Sequence, residues 1–172
     1  MERAPMWPVI RNAVADDLRA LTDIYNHYIV HTAVTFDLQP FTPDERRSWF
    51  EAHGAAGPYR LIVATEHDGL VLGYATTSRW RPKAAYQTTV ESSVYVHPSA
   101  VGRGCGRHLY DALFESIAGE DLHRIVAGVS LPNEASIRLH EKCGFRSVGT
   151  FSGVGRKFGR YWDVAWFERP LK

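Results

Sequence analysis

The segment Val90-Glu91-Ser92-Ser93-Val94-Tyr95-Val96 ends at His97-Pro98, and the chain then runs through Val101-Gly102-Arg103-Gly104-Cys105-Gly106-Arg107 into a helical stretch from His108 to Ala118. Valine and tyrosine favour a strand, proline closes it, and glycine admits the tight turn that feeds a helix. This strand, turn and helix constrain the chain more than any other part of it. Alternating glycines let successive backbone N–H groups converge, and the helix N-terminus adds partial positive charge. Such a turn predicts an anion site, most naturally for a phosphate or diphosphate, with Arg103, Arg107 and His108 as charge-assisted donors. The other reading of the same glycines is a tight connection that binds nothing. Two common phosphate loops do not fit, because no Lys-Ser/Thr pair follows the last glycine and no first strand of a dinucleotide-binding unit precedes it.

Around this unit the pattern predicts a strand at Pro8 to Asn12, then a helix capped by Asp16 or Asp17 with Leu18, Leu21, Ile24, Tyr25, Tyr28 and Ile29 on one stripe. Thr42-Pro43-Asp44-Glu45 reads as a capping box opening a second helix, which Gly54 and Gly57 close. Arg60 to Glu66 and Leu70 to Ser78 read as strands joined at His67-Asp68-Gly69. Later strands are expected at Arg124 to Val129, Phe145 to Phe151 and Tyr161 to Phe167. The order β-α-α-β-β-β-α-β-α-β-β predicts a mixed α/β sheet.

A length of 172 residues with 45% hydrophobic content fits one domain, 1–172, and a net charge of +1 gives no broad nucleic-acid footprint. Cys105 and Cys143 lack ligand-type spacing, so free thiols of a reducing cytoplasm are expected, with no metal. The first residues carry no leader pattern, and no run of about 18 apolar residues occurs, so a soluble cytoplasmic protein without membrane partners is expected.

With its strand, the glycine turn resembles the acetyl-CoA diphosphate loop of the GNAT N-acetyltransferase superfamily, Arg/Gln-x-x-Gly-x-Gly/Ala. Gly104 and Gly106 match, while Val101 stands where Arg or Gln is usual. Asn133 to Phe145 is similar to the superfamily helix Asn-x-x-(Ala/Ser)-x-x-x-(Tyr/His)-x-x-x-Gly-Phe. Ile24 to Ile29, Trp80-Arg81-Pro82, Thr89 to Val96, Leu131-Pro132-Asn133 and Tyr161-Trp162-Asp163-Val164 resemble the phosphinothricin and methionine sulfone/sulfoximine acetyltransferase branch. The resemblance implies a mostly antiparallel sheet of about seven strands flanked by helices, its fourth and fifth strands splayed.

It further implies that acetyl-CoA is the co-substrate. Gly102, Arg103, Gly104, Cys105, Gly106 and Arg107 would hold its diphosphate, the backbone of Val94, Tyr95 and Val96 its pantetheine, and Asn133 the pantetheine arm or the helix cap. The Val94 amide would polarise the thioester. Glu91 is the candidate base, directly or through water, the alternative being a strand-edge glutamate paired with an arginine. His140 stands where many superfamily members carry the tyrosine that protonates the thiolate; otherwise it is a helix histidine satisfied by a backbone carbonyl. Arg81 could clamp an amino acid carboxylate, with Tyr28, Phe36, Tyr86 and Trp162 as walls, and Arg79 and Lys83 are rival cations. The resemblance implies a small amino acid as acceptor and a homodimer. Other acceptors (a polyamine, an aminoglycoside, a protein amine) and a non-catalytic acyl-CoA-binding module remain open.

Overall fold

A computed structural model describes residues 8–172; the leaderless start expected from the sequence lies outside them. Seven strands form one sheet: β1 (Val9–Asn12), β2 (Leu61–Thr65), β3 (Val71–Arg79), β4 (Thr89–Val96), β5 (Arg124–Ser130), β6 (Arg146–Lys157) and β7 (Arg160–Pro170). Their order is β1-β2-β3-β4-β5-β7-β6, and every pairing is antiparallel except β4 with β5. Four α-helices flank it: α1 (Leu18–His31), α2 (Arg47–Glu51), α3 (Cys105–Ile117) and α4 (Glu134–Lys142).

The helices lie on both faces, which is why β2 is buried along its whole length without apolar and polar residues alternating. One core joins Leu109, Tyr110, Leu113 and Ile117 of α3 to Ile62, Leu72, Val90, Ile125 and Val129. The other joins Leu21 and Ile24 of α1 to Leu61, Val63, Val71 and Tyr74. Consecutive strand residues serve opposite cores, as the pleat requires.

Two elements differ from their expected limits. The capping box forms, with the Thr42 N–H donating to the Glu45 carboxylate at 2.7 Å, but residues 43–46 make turns and the α-helix begins only at Arg47. The terminal hairpin is longer than expected: β6 extends to Lys157 and turns through Phe158 and Gly159, both at positive φ. Its glycines are poor strand formers, and the pairing with β7 overrides that preference.

Candidate active site

The sheet forks at its centre. β4 and β5 are paired only at Thr89 with Arg124, Val90 with Ile125 and Glu91 with Val126. Beyond Glu91, β4 stays bonded to β3 as far as Val96, and β5 stays bonded to β7 as far as Ser130, so their inner edges diverge. The His97 N–H donates to the Leu72 carbonyl at 2.7 Å, which fixes the phase of the ladder. Residues 91, 93 and 95 therefore bond to β3, while the N–H and C=O of Ser92, Val94 and Val96 point into the gap. The gap is a cleft of about 580 Å³ with Ser92 to Val96 on one wall and Gly128 to Ser130 on the other. Tyr28 also lines it, and its hydroxyl donates to the Val96 carbonyl at 2.5 Å.

The glycine turn forms one end of this cleft. Gly104 caps α3 at φ 80°, a conformation that penalises any side chain. Gly106 allows close packing for a different reason: a Cβ there would lie 2.9 Å from the Leu139 side chain of α4, which would have to shift. The Cys105 and Gly106 amides belong to the first turn of α3, where no intrahelical acceptor exists. Arg107 bonds both carboxylate oxygens of Asp111 at 2.9 Å and the Lys142 carbonyl at 2.6 Å. Arg103 turns outward to Glu66 at 3.0 Å and does not line the cleft. The Cys105 thiol is buried and pushed up to about 11 by that burial. Asn133, on the opposite wall, caps α4 by accepting from the Ser136 N–H at 3.1 Å.

Glu91 is the last paired residue before the fork, and its side chain points to the face opposite Val90 and Ser92. Burial pushes its carboxyl above the usual carboxylate range, and the positive charge of Arg81 works against that rise. Among the described residues no arginine forms an ion pair with it.

His140 is 3% exposed and has both ring nitrogens engaged. The Ser136 carbonyl, 2.7 Å from Nδ1, can only accept, so Nδ1 carries the proton. Burial pulls the imidazole below its usual pKa and keeps it neutral, with the Ser136 bond opposing that shift. Nε2 is then an acceptor, and the Tyr110 hydroxyl donates to it at 2.8 Å. The Tyr110 oxygen lies 3.1 Å from Ser92 Oγ, which is 3.4 Å from the Val126 carbonyl. In this arrangement His140 is the helix histidine satisfied by a backbone carbonyl.

The contacts of the expected acceptor walls fall into two groups. Arg81 lies over Trp80 at 5.2 Å, and Tyr86 meets Trp80 edge-on at 5.1 Å, all at the start of β4 near Glu91. Phe36 instead packs against Gly155, and Trp162 donates to the Lys157 carbonyl at 2.9 Å, where the loop after α1 meets the terminal hairpin. Arg79 is occupied with the Arg81 and Pro82 carbonyls. The sequence pattern did not single out Tyr110, Ser92 or Arg46. Arg46 is a buried cation held 4.5 Å from the Tyr25 ring and 3.7 Å from the Trp49 ring. Ser92 was legible in principle, since strand alternation aims it at α3.

A sheet forked after its fourth strand, with free amides in the fork and a glycine-capped helix at its end, defines a class of acyl-CoA-binding α/β proteins. The acetyltransferase (GNAT) family profile matches residues 20–145, and the chain belongs to that family. It is 60% identical over 163 residues to a phosphinothricin N-acetyltransferase of Streptomyces coelicolor, covering 94% of this chain and 95% of that one. It is 40% identical over 162 residues to an L-methionine sulfoximine/L-methionine sulfone acetyltransferase of Salmonella typhimurium, with 94% of each chain covered. A phosphinothricin acetyltransferase from Sinorhizobium meliloti, solved in complex with acetyl-CoA, superposes with a TM-score of 0.90 at 34% identity, covering 96% of this chain and 89% of that one.

Proposed function

We propose that this chain transfers the acetyl group of acetyl-CoA to the α-amine of a small amino acid or analogue of the phosphinothricin, methionine sulfone or methionine sulfoximine type. The observation that carries the reading is the fork, which aims the Val94 N–H into the cleft and leaves Glu91 at its apex.

The free edge of β4 suits the pantetheine amides, which would add to it as a strand does. The turn from Gly102 to Arg107 suits the diphosphate, through the first-turn amides of α3. Val94 N–H donates to the thioester oxygen as negative charge develops there. Glu91 lies three residues back along β4, roughly 10 Å at strand rise, so it takes the proton of the acceptor ammonium through water. Its half-buried position favours this, because a carboxylate with a raised pKa is a better base. The amine attacks the thioester carbon, a C–N bond forms as the C–S bond breaks, and the second nitrogen proton passes to water. Thiols titrate near 8.5, so the thiolate collects a proton from solvent without a strong acid beside it. His140 contributes by fixing Tyr110 and the apex of the fork.

Arg81 holds the acceptor carboxylate, its charge reaching the same volume as Glu91. The chain pairs with a second copy through the terminal hairpin of β6 and β7, where Val148, Phe151, Val154, Phe158 and Tyr161 are all more than half exposed. A solution mass of one chain would contradict that pairing. The buried free thiols of Cys105 and Cys143 suit a cytoplasmic setting.

The test is an acceptor panel that follows CoA release. Amino acids of the named type should react, and their decarboxylated amines should be slower by roughly 10- to 150-fold, the loss of one charge-assisted pair. Arg81→Ala should erase most of that difference. A preference for amines without a carboxylate would overturn the acceptor assignment.

A further inference from the structure

Resting on the acetyl-CoA reading, we infer that Arg138 and Lys142 of α4 form a paired phosphate clamp for the co-substrate, facing the glycine turn across the mouth of the cleft. The inference comes from the charges along the cleft wall. Arg107, Arg138 and Lys142 line it, and among the described residues no aspartate or glutamate does. Arg107 is already neutralised by Asp111, and Arg103 is drawn out of the cleft by Glu66. His140 is neutral, for the reasons given above. Two positive charges are left over. Arg138 and Lys142 are both exposed, and neither side chain has a partner among the described residues.

Their placement is fixed by the packing of α4. They are four residues apart and so share one face of the helix. Leu139, between them, sits against Gly106, and the Lys142 carbonyl accepts from Arg107, so this face abuts the turn itself. Val101, at the outer end of the turn, is apolar and 60% exposed, so that side supplies amides but no cation. The turn therefore provides directional donors and α4 provides the charge. A molecule bearing a diphosphate and a ribose phosphomonoester needs both.

The test measures dissociation constants by calorimetry for acetyl-CoA and for acetyl-dephospho-CoA, which lacks the ribose phosphate. The variants are Arg138→Ala/Lys142→Ala and, as a control charge removal, Arg19→Ala on α1. The double variant should weaken acetyl-CoA binding about 10- to 100-fold and flatten its salt dependence, with turnover at saturating acetyl-CoA little changed. Equal weakening for both ligands assigns the clamp to the diphosphate, and weakening for acetyl-CoA alone assigns it to the ribose phosphate; both outcomes support the clamp. Affinities within twofold of the unsubstituted protein, or the same loss in Arg19→Ala, would overturn it and leave these residues as solvated helix charges. If the unsubstituted protein binds neither ligand, the acetyl-CoA reading itself fails.

Discussion

Tyr110→Phe separates a structural hydroxyl from a catalytic one. The substitution removes a single oxygen from a side chain that is 0% exposed and leaves the ring packed against Phe114 and Phe145. Two polar atoms lose a partner. Ser92 Oγ can still turn to the Val126 carbonyl at 3.4 Å, so its loss is small. His140 Nε2 has no second donor among the described residues, and the Phe145 and Phe167 rings pack against the imidazole. An unsatisfied buried acceptor costs about 1 to 3 kcal/mol, so unfolding in urea should be easier by that amount. For a chain of this size the melting temperature should drop by roughly 2 to 4 °C for each kcal/mol. Turnover at saturating substrates should stay within about tenfold, since no proton in the proposed reaction passes through this hydroxyl. Unchanged stability with turnover down by about a hundredfold or more would refute the argument and make the Tyr110 and His140 pair the thiolate's proton source.

Glu91→Gln should lower turnover by about 10²- to 10⁴-fold at neutral pH while acetyl-CoA affinity, measured by calorimetry, stays put; near-normal rates across the pH range would mean that another group takes the proton. Stability should also depend on pH through His140. Its folded pKa is depressed, so below the unfolded value near 6.5 the unfolded chain binds a proton that the folded one does not, and stability falls as the solution is acidified through that value. Urea midpoints followed from pH 7.5 downward should decline less in His140→Gln, and identical declines would show that other groups carry the acid sensitivity.

What the sequence revealed depended on how locally each feature is determined. The glycine turn was legible because Gly104 must adopt positive φ and sits beside the helix it starts. The forked sheet followed from the motif resemblance rather than from periodicity, since nothing within β4 itself marks Glu91 as its last paired residue. The hairpin from Arg146 to Pro170 was read short because Gly153 and Gly155 disfavour a strand in isolation, and only the partner strand reverses that preference. The contact of Tyr110 with His140 joins positions 30 residues apart through the packing of two helices. The expected acceptor walls are aromatic residues far apart in sequence, and sequence carries no distance between them; Phe36 and Trp162 make their contacts at the terminal hairpin, Tyr86 with Trp80 ahead of β4.

The fork also divides the sheet mechanically. β1 to β4 form one panel and β5, β7 and β6 another, and the seam between them carries only three rungs, at Thr89, Val90 and Glu91. Past the seam the panels are bridged by helices, by the Ser92 and Tyr110 contacts, and by the loop after α1, where Lys157 donates to the Thr35 carbonyl and Phe36 packs against Gly155, like two leaves on one short hinge. A guest lying along the open edge of β4 adds rungs where the chain has none of its own. On the proposed reading the loaded protein would be a stiffer body than the empty one, and that stiffness would go with the departing guest.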